Sequence, residues 1–195
     1  MRLALYQTEI AQNLGTMLRL GACLGVSVDV IEPIGFPWDD KRMQRAGMDY
    51  IDLVNVTRHK SFDDFISAID ASRSSVKKSR FFVKKSDFSE KKSNFSTDTD
   101  VNDSNAKNMQ EISRLILLDV KAEASYTNVE YKPTDIIMVG RESCGVPKDV
   151  YDACDMQVRI PMVQGARSLN VALSAAIGLS EALRQVLGGS GCLPQ

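Results

Sequence analysis

Six short apolar runs, separated by stretches with helical spacing, restrict this chain to an α/β architecture. The runs are Leu3–Tyr6, Val26–Ile31, Ile51–Val56, Arg114–Val120, Asp135–Val139 and Met156–Ile160. Each is too short for an ordinary helix and suits a strand; Leu3–Tyr6 and Asp135–Val139 read as buried strands, whereas in Val26–Ile31 the valines Val26, Val28 and Val30 alternate with Ser27 and Asp29. Between them, apolar residues recur at intervals of three and four. Leu14, Met17, Leu18, Gly21 and Ala22 form one such stripe, with Asn13 as the expected N-cap and Gly25 as the stop. Phe62, Phe65, Ile66 and Ile69 form another, behind a capping box of Ser61 and Asp64. A last helix starts at Ser168 as expected N-cap, carries Leu169, Leu173, Ile177 and Leu183, and stops at Gly188-Gly189. Shorter helices are predicted over Lys41–Met48 and from Pro147 to about Ala153. Strand followed by helix, repeated, predicts a mostly parallel sheet flanked by helices.

The pattern breaks once. Ala71–Gln110 is rich in Ser, Lys, Asn and Asp, basic at first and then acidic, with no sustained period. It is expected to be a disordered, low-complexity insertion in a single domain spanning residues 1–187, with 188–195 as a tail. Phe81, Phe82, Phe88 and Phe95 stand among its lysines, which suits either base stacking or a plain solvated loop.

With 195 residues, there is chain enough for one domain with a sizeable core. A net charge of −1 means that any polyanion must be held by local basic patches rather than by overall attraction. The cysteines (Cys23, Cys144, Cys154, Cys192) form no CxxC pair and His59 is the only histidine, so a zinc site is not expected. The N-terminal apolar run is too short for a signal peptide, and no stretch approaches the ~18 apolar residues of a membrane span. The expectation is a cytoplasmic protein with free thiols.

In a parallel sheet the loops after strand C-termini gather along one edge. Three such loops carry small or polar groups: the one leading into Asn13–Arg19, Gly140–Pro147, and Ile160–Asn170. A GxGxxG, a Walker A and a GxSxG are all missing, which disfavours a dinucleotide site, a P-loop and a serine hydrolase. Cys144 could act as a nucleophile but has no evident base in sequence, so an incidental thiol is the plainer reading.

The phrases NLGTMLRL, IEPIGFPWDDKRMQRAGMDY, GRESCGVP and RIPMVQGARSLNVALSAA resemble the SPOUT superfamily of RNA methyltransferases. More closely, they resemble the bacterial tRNA (cytidine/uridine-2′-O)-methyltransferases of the wobble nucleotide. The resemblance covers 1–71 and 114–187. It implies a C-terminal trefoil knot, S-adenosylmethionine as cofactor, the tRNA anticodon region as substrate, and a homodimer whose active site is completed across subunits. It implies that Leu118, Gly140, Ile160 and Ser168 bind the cofactor. Asn13 and Arg19 match its N-x-G-x-x-x-R motif, and together with Glu142 are the expected catalytic residues. Arg19 is expected to position and stabilise charge rather than accept a proton, because a guanidinium stays protonated. Ser168 and Asn170 are expected to order the cofactor turn.

The chain departs from the resemblance in the middle motif, often G-P-E-x-R-G-[LI]-P, where it has Arg141 for Pro and Cys144 for Arg. The Ser-Asn usual after the Asn-Val pair is Ala172-Leu173. The alternatives are the same chemistry at another tRNA or rRNA position, or a SPOUT protein that binds RNA without catalysing.

Overall fold

The strand-forming runs do assemble side by side, in an order that the chain does not follow. The computed structural model describes residues 1–38, 53–86 and 112–188, with only the helical backbone for 75–86. The strands are β1 (Arg2–Tyr6), β2 (Ser27–Ile31), β3 (Val56–His59), β4 (Leu115–Leu118), β5 (Ala124–Ser125), β6 (Ile136–Val139) and β7 (Met156–Arg159). The helices are α1 (Ala11–Leu24), α2 (Phe62–Ser86), α3 (Lys148–Ala153) and α4 (Val171–Val186), with a short 3-10 turn at Tyr126–Asn128. All strand pairs are parallel and the sheet order is β3-β2-β1-β6-β4-β7-β5. β1 is central. Its chain leaves toward β2 on one side, and β6 lies on the other. That reversal opens a crevice beyond the strand C-termini, where α/β proteins hold ligands.

The period of two assigns side chains to the two faces. Leu3 and Leu5 of β1 join Leu14, Met17, Leu18, Ala175 and Leu179 on the α1/α4 face. Ala4 and Tyr6 of the same strand join Phe65, Ile69 and Val150 on the α2/α3 face. Burial of both faces explains why these strands read as continuous apolar runs. At Gly25 the chain turns left-handed (φ 64°), and Val26 N–H donates to Gly21 O, so α1 ends where its glycine predicts. Gly21 brings α1 onto β2: a Cβ there would lie 2.6 Å from Val28 Cγ2.

Several expectations are corrected. The third strand is Val56–His59, not Ile51–Val56; Leu53 is exposed in a turn, and 51–52 lie outside the described residues. V-T-R-H reads as polar because Thr57 and Arg58 are exposed on the sheet's edge strand, whereas His59 is buried against Asp29 Oδ1 at 2.8 Å. Asp29 also takes the Arg2 guanidinium. Lys121–Lys132, which reads from sequence as a polar connection, contains β5 and buries Ala122, Val129 and Tyr131. The Ser61 hydroxyl does cap α2, accepting from Asp64 N at 3.1 Å. Helical backbone then continues past Ala71 to Ser86, a stretch that no Pro or Gly interrupts. Arg73 ties α2 to the body through Asp155 and Ser113 O. The rest of the low-complexity segment, 87–110, lies outside the described residues, as do the predicted Lys41–Met48 helix and the tail from 189.

Cys23 and Cys144 are exposed free thiols; burial pushes the Cys154 thiol up to about 12 and keeps it protonated. Among the described residues no helix is long and apolar enough to cross a membrane.

Candidate active site

The crevice is built by loops that follow β1, β4, β6 and β7. After β6 the chain makes a tight loop in which Arg141 and Gly145 exchange two backbone hydrogen bonds, each 3.0 Å. Both flanking glycines are required there. A Cβ on Gly140 would lie 2.7 Å from Gly145 C, and Gly145 has φ +70°, which L side chains rarely adopt. The loop's tip, Glu142-Ser143-Cys144, therefore projects over the end of β1.

Two carboxylates clasp this tip to the start of α1. Glu142 Oε2 accepts from Glu9 N (2.8 Å), and Glu142 Oε1 accepts from Ile10 N (3.4 Å) and Asn13 Nδ2 (2.9 Å). In return the Glu9 carboxylate accepts from Ser143 N and Ser143 Oγ, both at 2.8 Å. Ile10, not Asn13, occupies the N-cap position of α1. Asn13 stands within the first turn, and its side chain spans two loops: the amide donates to Glu142, and Oδ1 accepts from Asn170 Nδ2 at 3.0 Å. Asn170 also replaces Ser168 as the N-cap of α4, its Oδ1 accepting from Ala172 N (2.9 Å) and Leu173 N (3.3 Å). The register explains the shift: α4 begins at Val171, so Asn170 is the residue whose side chain reaches the free first-turn amides.

The Ser143 hydroxyl and amide hold the Glu9 carboxyl below its usual range. A depressed folded pKa contributes clasp stability above the unfolded value of 4.5, and that contribution is lost as pH falls through the lower folded value. Amide exchange at Ser143 is expected to quicken below about pH 4.5, beyond the intrinsic trend of acid quenching. In Glu9→Gln, which has no carboxyl to titrate, that extra acid-limb acceleration is expected to vanish; its persistence would remove Glu9 as the cause.

Beside this network lies a cleft of about 660 Å³, within the range of small-molecule sites. Asn13, Leu118, Gly140, Glu142 and Ser168 all line it. Ile160 lines an adjoining compartment with Leu118, Asp119, Met162 and Leu169. Arg19 is exposed on α1 and is not among the residues lining either compartment. Arg141 lines the main cleft with its guanidinium 5.7 Å from the Tyr6 ring centroid, and its buried Nε has no hydrogen-bond partner. Cys144 is exposed on the rim. His59 sits on β3, with β2 and β1 between it and β6, so it takes no part in the cleft.

Two participants were not identified from sequence, Glu9 and Asp119. Each directly follows or closely follows a strand end, a positional signal that is real but shared with many inert loop residues.

The chain matches the pattern of the SpoU rRNA Methylase family over residues 1–98 and 82–180. It is 42% identical over 184 residues to a tRNA (cytidine(34)-2′-O)-methyltransferase of Beijerinckia indica, covering 94% of this chain and 91% of the relative. A solved structure described as giving insights into the 2-OH methylation of C/U34 on tRNA superposes with TM-score 0.71 at 28% identity, covering 96% of each chain. The AviRb methyltransferase of Streptomyces viridochromogenes, solved in complex with AdoMet, shares the fold with TM-score 0.72 at 19% identity, covering 98% of this chain and 59% of that one. A strand-end crevice with two facing loops, joined to these likenesses along nearly the whole length, places the chain in the SpoU rRNA Methylase family, among the tRNA (cytidine(34)-2′-O)-methyltransferases.

Proposed function

We propose that this protein methylates the 2′-hydroxyl of the wobble-nucleotide ribose of tRNA, with S-adenosylmethionine bound in the Leu118–Gly140–Ser168 cleft. The carrying observation is the Glu142–Asn13–Asn170 network, which ties the loop after β6 to the first turns of both α1 and α4. The cleft fits the cofactor: glycine at 140 and 145 lets backbone approach, apolar Leu118 and Ile160 suit a purine, and the volume suffices. S-adenosylmethionine supplies a methyl group on a sulfonium, a built-in leaving group. The protein must then hold the hydroxyl in line and ease loss of its proton.

Leu118, Gly140, Ile160 and Ser168 hold the cofactor. Asn13 and Glu142 hold the loops around it. Arg19 acts on the acceptor from a second copy of the chain, as a permanent cation that positions phosphate or stabilises developing charge. Ile10, Leu169 and Leu173 support this dimer reading, because they are exposed apolar side chains close to the cleft. Sedimentation at the mass of two chains is the expected result. A C-terminal trefoil knot belongs to the same reading, and the placement of β4 between β6 and β7 supports it.

The decisive experiment maps 2′-O-methylation in tRNA incubated with the cofactor, with and without the protein. A gain at the wobble nucleotide is expected; a gain at another position, or none, would sink this reading.

Arg141 stands where the resembling motif has proline, and Cys144 where it has arginine. Arg141 takes over the lost cation's work on the RNA backbone. Arg141→Ala is expected to raise the KM for tRNA about tenfold at low salt, the scale of one charge-assisted hydrogen bond, while S-adenosylhomocysteine affinity is unchanged. Adding Cys144→Arg should recover the loss. Unchanged tRNA KM in Arg141→Ala would remove the assignment.

A further inference from the structure

The cleft contains two carboxylates among its described lining residues, and they are in opposite situations. Glu142 is consumed by the three donors of the α1 loop. Asp119, the residue after β4, is not. Its backbone is pinned on both sides: Asp119 N donates to Val158 O at 2.9 Å, and Asp119 O accepts from Ala122 N at 3.2 Å. Its Oδ1 accepts from Lys121 N at 2.8 Å. Its Oδ2 stands over Gly145, where a Cβ would lie only 3.1 Å away, and no described donor reaches it. The result is a fixed, half-buried carboxylate with one oxygen turned to the cleft.

Its position selects a partner. Asp119 lines both compartments. On one side are Leu118, Ile160, Met162 and Leu169, apolar walls that suit the flat face of a base. On the other are the polar side chains of Asn13, Glu142, Arg141 and Ser168. In a nucleoside carrying a 5′ substituent, the sugar is the part between those two ends. Its vicinal hydroxyls are donors, and an ionised carboxylate is an acceptor only. A fixed carboxylate pays little ordering cost to take them.

We propose that Asp119 reads the sugar of the cofactor, its Oδ2 accepting a hydrogen bond from the ribose 2′,3′-diol. The inference rests on the cleft being the cofactor site. Asp119 thereby selects a ribonucleoside over its deoxy analogue and sets how far the 5′ substituent extends toward Glu142 and Asn13.

Calorimetry tests it with three probes: S-adenosylhomocysteine, 5′-deoxy-5′-methylthioadenosine, and the 2′,3′-dideoxy form of the latter. In the parent, loss of the diol is expected to weaken binding about tenfold, the scale of a hydrogen bond to a charged group. In Asp119→Ala that preference should vanish, because only the diol probe has a hydrogen bond to the carboxylate to lose, and losing it brings its affinity down to that of the dideoxy probe. S-adenosylhomocysteine and methylthioadenosine should weaken by similar factors, since both carry the diol. Asp119→Asn retains the Lys121 turn bond through Oδ1, so it guards against a variant that merely disturbs the loop; it should also lose most of the diol preference. A diol preference kept by both variants would overturn the proposal, because a purely structural Asp119 would leave it intact. So would a loss confined to S-adenosylhomocysteine, which would put the carboxylate against the amino-acid end. If the parent itself fails to bind S-adenosylhomocysteine, the cofactor reading falls first, a result distinct from either.

Discussion

Glu142→Ala is expected to lower the rate of methyl transfer by about 10²–10³-fold, the usual loss when a preorganised polar group of an active site is removed. The expectation follows from what Glu142 holds. Its two oxygens satisfy Glu9 N, Ile10 N and Asn13 Nδ2, and through Asn13 they fix Asn170 at the start of α4. Without the carboxylate, the loop after β6 keeps only the Ser143–Glu9 half of its clasp to the start of α1, and the Glu9 N, Ile10 N and Asn13 Nδ2 donors turn to water. The stability cost is smaller, about 1–3 kcal/mol, because the Ile10 amide is already solvent-accessible. For a chain of this size that is a melting shift of roughly 2–12 °C. Glu142→Gln should lie between, since its amide group meets the Glu9 N–H as a donor facing a donor. Methyl incorporation under saturating tRNA and cofactor measures the effect. A fall of less than about threefold would show that the clasp is dispensable, far below the usual range for such a group.

Gly140→Ala should damage cofactor binding most. The new Cβ would meet Gly145 C at 2.7 Å, Gly145 Cα at 2.8 Å and Gly145 O at 3.0 Å. Those are backbone atoms, so no side chain can rotate away. Relief requires breaking the Arg141–Gly145 pair of hydrogen bonds and spreading the loop, at a cost of about 1–3 kcal/mol or more. The same movement displaces Asp119 and Glu142, which flank the cleft. Affinity for S-adenosylhomocysteine is expected to drop at least about a hundredfold, as misplacement near an ångström can cost. The measurement is calorimetric titration of a variant whose circular dichroism matches the parent. Parent-like affinity would mean that the loop is not part of the cofactor wall. The control is Gly165→Ala: Gly165 has φ +91° and no atom within 4 Å of its would-be Cβ, so that substitution introduces backbone strain without the backbone clash that Gly140→Ala brings.

Much of this molecule is legible in its sequence. β1, β2, β4, β6 and β7 all fall within or almost on the apolar runs; β1, β4 and β6, buried almost throughout, are the most continuously apolar, while β2 carries the buried Asp29 and β7 the exposed Arg159. The Ser61 cap and the Gly25 stop worked because capping is local chemistry. β3 was misplaced because half of it is exposed and its buried histidine is satisfied by Asp29, a contact between separate strands. β5 was missed because two residues of Ala-Ser carry no period. Asn13 was read as a cap, and Ser168 was preferred to Asn170, for one reason. Asn and Ser are favoured at helix starts whether the side chain serves the helix or a distant loop.

The residues that line the cleft were named from resemblance, and the structure brings Asn13, Glu142, Leu118, Gly140 and Ser168 around one cavity. Resemblance supplied identities but not bonds. Nothing local distinguishes Glu142, with all its donors on α1's approach, from Asp119, with one oxygen open to the cleft. Both simply follow strands.

The sequence by itself determined the parallel α/β class, most strands and helix ends, and the loops in which chemistry must lie. These are properties of hydrophobic period and turn chemistry, which act over a few residues. Only the tertiary structure decided that β6 lies between β1 and β4, and that Asn13 bonds residues 129 and 157 positions away. Those bonds depend on distances of about 3 Å between loops. Such distances exist only once the sheet order has brought distant strand ends to one edge.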